Sequence, residues 1–217
     1  MADSNNALAQ LSMNRSAINN LNSNYETFAT HSSDFQNAID EVGNYVADKT
    51  TKAAFDKITT SMNEENPKIT SSLRSVISNI KGVSERLQGV AGESVTMPDA
   101  SQLKINPMNN TIKESFPSEY IGWKNLAGTQ AAQGVINRAF NTIKADIASL
   151  QETVAGGVGL DVGNYESILR NSTNKIGETI NENQEVINKA ITQYIEQHAA
   201  DYQSVVTNAE SSANTGV

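Results

Sequence analysis

Apolar side chains recur every third or fourth residue through four long stretches of this chain. The first holds Leu8, Leu11, Arg15, Ile18, Leu21, Tyr25, Phe28, Ser32, Phe35, Ile39, Val42 and Val46. That rhythm is one stripe on one helix. Ser4 or Asn5 is placed to cap its start, and Gly43-Asn44 to end it. A span of about 38 residues predicts a rod of roughly 57 Å. The second stripe runs through Phe55, Ile58, Met62, Ile69, Leu73, Val76, Ile80, Val83, Leu87 and Val90. Its phase survives Pro67, which predicts a kinked, near-continuous helix that Gly89 and Gly92 end. Pro98, Pro107 and Pro117 then break any helix, and the stretch reads as a linker with an extended piece around Leu103 to Ile105.

The third stripe carries Leu126, Ala132, Ile136, Phe140, Ile143, Ile147, Leu150 and Val154, a strict heptad from Ile136 onward. Gly156, Gly157, Gly159 and Gly163 form the next turn. A fourth helix runs from about Asn164 to Asn208, with Ile168, Ile176, Ile180, Ile187, Ile191, Tyr194, His198, Tyr202 and Val205 on its face.

These patterns predict an all-α fold, in which long helical hairpins form an elongated four-helix bundle or a coiled-coil-like assembly. The plan is an N-terminal hairpin over 1–93, a Pro/Ser/Asn-rich linker over 94–122, a C-terminal hairpin over 123–210 and a frayed tail over 211–217. The A-F-x-x-I run at Ala54–Ile58 returns at Ala139–Ile143, a faint echo between the halves. Each stripe is narrow. The entropy of ordering one such helix outweighs the burial of about ten side chains. The helices therefore need company, either the other hairpin or a partner.

Composition explains the narrowness. Only 6% of residues are aromatic, while 76 are Asn, Ser, Thr or Gln, so polar faces dominate. The net charge of −8 repels phosphate backbones, which argues against nucleic acid and against anionic membranes. Membrane contact is possible but not favoured. No apolar run reaches the roughly 20 residues that span a bilayer. The N-terminal MADSNNALAQL has neither a basic segment nor an apolar core, so the expectation is a non-Sec export route or the cytoplasm. The absence of cysteine excludes disulfides, thiol catalysis and thiolate metal sites.

No constellation of residues calls for chemistry. Gly157, Gly159 and Gly163 approach a dinucleotide fingerprint, but a heptad helix stands where that motif requires a strand. His31 and His198 lack neighbouring ligands, and His198 continues an apolar face, so it reads as a half-buried packing residue. Glu64-Glu65 and Glu182/Glu185 read as solvated faces rather than acid–base pairs. Arg15, Ser32 and Asn183 interrupt the stripes, either as tolerated rim positions or as polar groups that set register. Trp123 reads as a plug that docks the linker, or else as an interface anchor. The expectation is a non-enzyme with no catalytic residues, no metal and no cofactor.

The run from Trp123 through Leu126, Gly128, Ala131 and Ala132, followed by Phe140, resembles the WXG/LXG superfamily of type VII secretion substrates. Leu126-Ala127-Gly128 matches the Leu-x-Gly form, while Asn125 stands where the Trp-x-Gly form has glycine. Tyr45-Val46-Ala47 holds the comparable place in the first half. The resemblance implies helical hairpins, export without a Sec signal and pairing with a helical partner. It also implies a turn shaped by Trp123, Leu126 and Gly128. The export signal Tyr-xxx-Asp/Glu of some members is absent, because His198 follows Tyr194 at that spacing and Val206 follows Tyr202. The sequence here closes soon after the fourth helix, without the C-terminal enzymatic domain of LXG-type toxins, so the expectation from the resemblance is a helical substrate, targeting module or accessory partner rather than a toxin.

The sequence thus leads to a helical binding protein, secreted or at the cell surface of a Gram-positive bacterium, that pairs with a helical partner or with itself. Phe28, Phe35, Phe55, Phe140 and Ile147 are the expected core or interface. Two other classes share the composition. One is a structural subunit of a filament or phage-like particle. The other is a helical pore-forming component with Val154–Val162 as its tongue.

Overall fold

The computed structural model describes residues 2–117, 126–156 and 163–214. They form four helices: α1 (Ala2–Tyr45), α2 (Lys49–Ala91), α3 (Leu126–Gly156) and α4 (Gly163–Asn214). The fold is all-α. The one pairing of β type among the described residues is an isolated bridge between Ala47 and Lys113.

Local chemistry sets both ends of α2. Asp48 caps α2, and its Oδ2 accepts from the amide and the hydroxyl of Thr51 at 2.7 and 2.9 Å. Pro67 removes one backbone donor, yet α2 runs on through it as one helix. Gly89 lies inside α2. Gly92, at a φ of 71°, is the residue that ends it, and its amide reaches the Gln88 carbonyl. Ser4 does not cap α1, which begins at Ala2; its hydroxyl donates to the Ala91 carbonyl at 2.8 Å. Residues 211–214, expected to fray, are helical, and no glycine or proline precedes them in the last turns of α4.

The chain divides into two compact units, and each takes a segment of all four helices. Unit 1 comprises Met1–Ser33, Ser61–Pro107 and Asn141–Glu178; unit 2 comprises Asp34–Thr60, Met108–Phe140 and Thr179–Val217. In unit 1, α1 bonds to α2 through Asn14–Ser84 (3.0 Å) and Tyr25–Thr70 (3.0 Å). It bonds to α3 through His31–Asp146 (2.7 Å). Helix α4 reaches α3 through Gln151–Thr173 (2.6 Å) and α2 through Lys175–Glu65 (3.0 Å). The cyclic order is therefore α1, α2, α4, α3. In unit 2, Phe140 of α3 lies 5.5 Å from Phe35 of α1 and 6.3 Å from Phe55 of α2, ring centre to ring centre. Gln133 of α3 donates to Thr192 of α4 at 3.1 Å.

Among the described residues the sequence stripes are mostly buried or half-buried, and at three places a neighbour takes the inward position. Arg15 is exposed, and Asn14 takes the inward place. Val90 is exposed, while Ser84 and Ala91 point inward. Leu169, rather than Ile168, is fully buried at the start of α4.

Residues 92–117 act as a strap rather than a free linker, because α1 and α2 hold them at many points. In unit 1, Val95 and Met97 pack on Ala7, Leu11 and Ala91. The Asn22 side chain bonds to the Asp99 carbonyl and the Ser101 amide at 2.8 Å each. Tyr25 donates to the Leu103 carbonyl at 2.9 Å. In unit 2, Met108 and Ile112 are buried, and Gln36 bonds to the amide and the carbonyl of Asn109. Gly43 lets the strap approach, since a Cβ there would stand 3.2 Å from Thr111.

Candidate functional site

The residues of the suspected motif meet the end of α1. Leu126 and Gly128 stand in the first turn of α3, inside the helix rather than in an interhelical turn. A Cβ on Gly128 would collide with the Tyr45 ring. The glycine thus clears space for an aromatic side chain from the other hairpin, within unit 2. Ala132 is buried one turn further on, and Phe140 completes the Phe35–Phe55–Phe140 cluster. Ala131 is exposed. Trp123 lies outside the described residues, as does most of the glycine turn and of the suggested tongue.

Phe28, Phe35, Phe55 and Phe140 are fully buried, and Ile147 is nearly so. Their partners lie within the chain, so these side chains form its core.

The buried polar residues divide into two groups. Ser32, Thr59, Ser84 and Thr173 each donate to the carbonyl four residues earlier, as Asn183 does to Thr179. Ser32, Thr59 and Asn183 bond within their own helix and carry no register information, whereas Ser84 also accepts from Asn14 and Thr173 from Gln151 on a neighbouring helix. Asn14 is different, because it donates across to Ser84 in α2. Register between these helices is specified there rather than at Ser32 or Asn183. The signal in the sequence was ambiguous, since Asn14 and Arg15 both stand three or four residues from Leu11 and Ile18.

Three titratable clusters are built on helix faces. The His31 imidazole donates to Asp146, tying α1 to α3. Burial raises the Asp146 pKa and the hydrogen bond from His31 opposes that rise. Glu65 was expected on a solvated face, but its side chain is only 4% exposed. Burial pushes its pKa up, and hydrogen bonds from Lys175, Lys68 and Ser172 outweigh this, leaving it below the ordinary range. His198 packs edge-on against Tyr194 at 4.3 Å, and its pKa is lowered, chiefly by burial. No group of three or more metal-ligating side chains forms among the described residues. No helix there is long and apolar enough to cross a membrane.

Glu65 carries a pH prediction. A carboxyl with a depressed folded pKa contributes stability above its unfolded pKa and loses it as pH falls through the folded value. Thermal melts at about pH 7 and about pH 3 should therefore show a larger acid loss in the native chain than in Glu65→Gln. Equal losses would remove the Glu65 network from the account.

Two interhelical grooves carry exposed apolar side chains among small residues. In unit 1, Met13 (61% exposed) lies with Ser12, Ser16 and Ala17 of α1, opposite Glu152 and Thr153 of α3. In unit 2, Val186 of α4 (41% exposed) lies opposite Ala53 and Ala54 of α2, with Lys49 and Lys57 at the rim. No family model matches the chain, and neither a curated protein nor a solved structure matches it.

Proposed function

We propose that the chain is a non-enzymatic helical binding protein that pairs with a helical partner, exported by or associated with a bacterial type VII secretion system. One observation carries the pairing part. Met13 and Val186 each stand exposed in a shallow groove between two helices, Met13 flanked by Ser12, Ser16 and Ala17 and Val186 by Thr50, Ala53 and Ala54. Small flanking residues let another helix come close, and an exposed apolar side chain gives it something to bury. The secretion setting is supported by the motif alone. Gly128 lies under an aromatic ring, and Ala132 and Phe140 face inward after it, as a helical hairpin packed through that motif requires. Release by a non-Sec route belongs to the same reading.

The test mixes the purified chain with small helical proteins encoded by neighbouring genes and measures mass by light scattering after size exclusion. A one-to-one complex is expected, weakened at least about tenfold by Met13→Glu or Val186→Glu. Complexes indifferent to both changes would contradict the groove reading. Concentration-dependent fibres would favour a filament subunit, and dye release from liposomes a pore component.

A further inference from the structure

The Val186 groove of unit 2 has walls of opposite charge. Lys49 and Lys57 line it on α2, Glu182 lines it on α4, and Ala53, Ala54 and Val186 supply its apolar surface. All three charged residues are exposed. Their side chains bond to no other described residue, and no ion pair crosses the groove. Lys52 of the same helix, by contrast, pairs with Asp56 at 3.0 Å, and Lys175 of α4 pairs with Glu64 at 2.9 Å. The lining of the Met13 groove holds one charged residue, Glu152.

Geometry selects the kind of occupant. Eight residues of helix separate Lys49 from Lys57, about 12 Å. One small anion cannot meet both. An extended polypeptide brings main-chain N–H and C=O groups that need partners once covered. The groove offers few, because its one amide side chain, Asn183, is 4% exposed and already donates to the Thr179 carbonyl. A helix satisfies its own main chain and asks for apolar contact, which Ala53 and Val186 give. Acidic residues about seven or eight positions apart share one face of such a helix and match the two lysines. Charges at a rim act mainly on which partner fits, since like charges brought together exclude the wrong one.

We propose that the groove between α2 and α4 in unit 2 receives a helix with a mixed charge pattern. Its apolar stripe lies on Ala53 and Val186. Acidic residues about two turns apart flank the stripe toward Lys49 and Lys57, and a basic residue flanks it toward Glu182. This rests on the helix-pairing reading above and adds the chemistry of the partner.

The full chain is titrated with three labelled helical peptides of about 20 residues, long enough to hold a helix. All carry one alanine–leucine stripe. They differ in its flanks: glutamate on one and lysine on the other, glutamate on both, or lysine on both. Fluorescence anisotropy should give the mixed peptide a dissociation constant of about 100 μM or tighter. The other two should bind about tenfold more weakly. Lys49→Glu and, separately, Lys57→Glu should weaken the mixed peptide about fivefold and strengthen the peptide with lysine on both flanks. Lys104→Glu, which reverses an exposed charge in unit 1, should change neither. Salt should narrow the gap between the peptides. If one lysine variant loses its helical circular dichroism, the other and the salt series decide the matter. Equal binding of all three peptides overturns the charge pattern and leaves helix pairing in place. Binding of none overturns the pairing reading at this groove as well. A preference for the mixed peptide that survives both lysine changes also overturns the proposal.

Discussion

Phe140→Ala should lower stability by about 3–5 kcal/mol, a fall in Tm of roughly 10 °C for a chain of this size. Phe140 is fully buried and touches aromatic rings from α1 and α2 at once. Its removal leaves a cavity that Phe35 and Phe55 cannot both collapse into, since each is held on its own helix. Ring-on-ring attraction disappears on two sides, which adds to the loss of burial. Far-ultraviolet circular dichroism below the transition should stay helical, because the stripes elsewhere are intact. Met13→Ala is the control, since a side chain 61% exposed should move Tm little. A small effect of Phe140→Ala would mean that the ring cluster is not a core.

Gly128→Leu should cost about 1–3 kcal/mol, although leucine is the better helix former. The reason is the Tyr45 ring, which occupies the space a side chain at position 128 would need. The pair should couple. Tyr45→Ala opens that space, so the double variant should lose clearly less than the sum of the single losses, as read by chemical denaturation. Additive losses would mean that Tyr45 and Gly128 do not meet.

Much of the fold was legible from spacing alone. Four stripes gave four helices, because a 3.6-residue period leaves few alternatives over thirty or more residues. Proline at position 67 kept the phase of the stripe, and the helix does run through it. What spacing could not decide was any position where two neighbours fit equally well. Asn14 and Arg15 show this, and so do Ile168 and Leu169. Each choice depends on what the facing helix offers, such as the Ser84 hydroxyl for Asn14.

The strap was hidden for a different reason. Nothing periodic marks residues 92–117, and several of their anchors are polar side chains on α1. Asn22, Gln36 and Asp40 stand at heptad-like spacings beside the apolar stripe, a row of amide and acid groups that reads as surface until a chain is laid on it. Glu65 is hidden similarly, since a pair of adjacent glutamates says nothing of a lysine more than a hundred residues later.

The most direct measurement asks whether the two hairpins close on each other inside one molecule. Asn24 of α1 and Thr153 of α3 are within hydrogen-bonding distance in unit 1, and the chain has no native cysteine. With Asn24→Cys and Thr153→Cys, a short bismaleimide should link the pair rapidly at high dilution and leave a monomeric mass. Linkage that appears only between molecules, or only at high concentration, would mean that the seams seek a second chain and that one chain alone does not form this core.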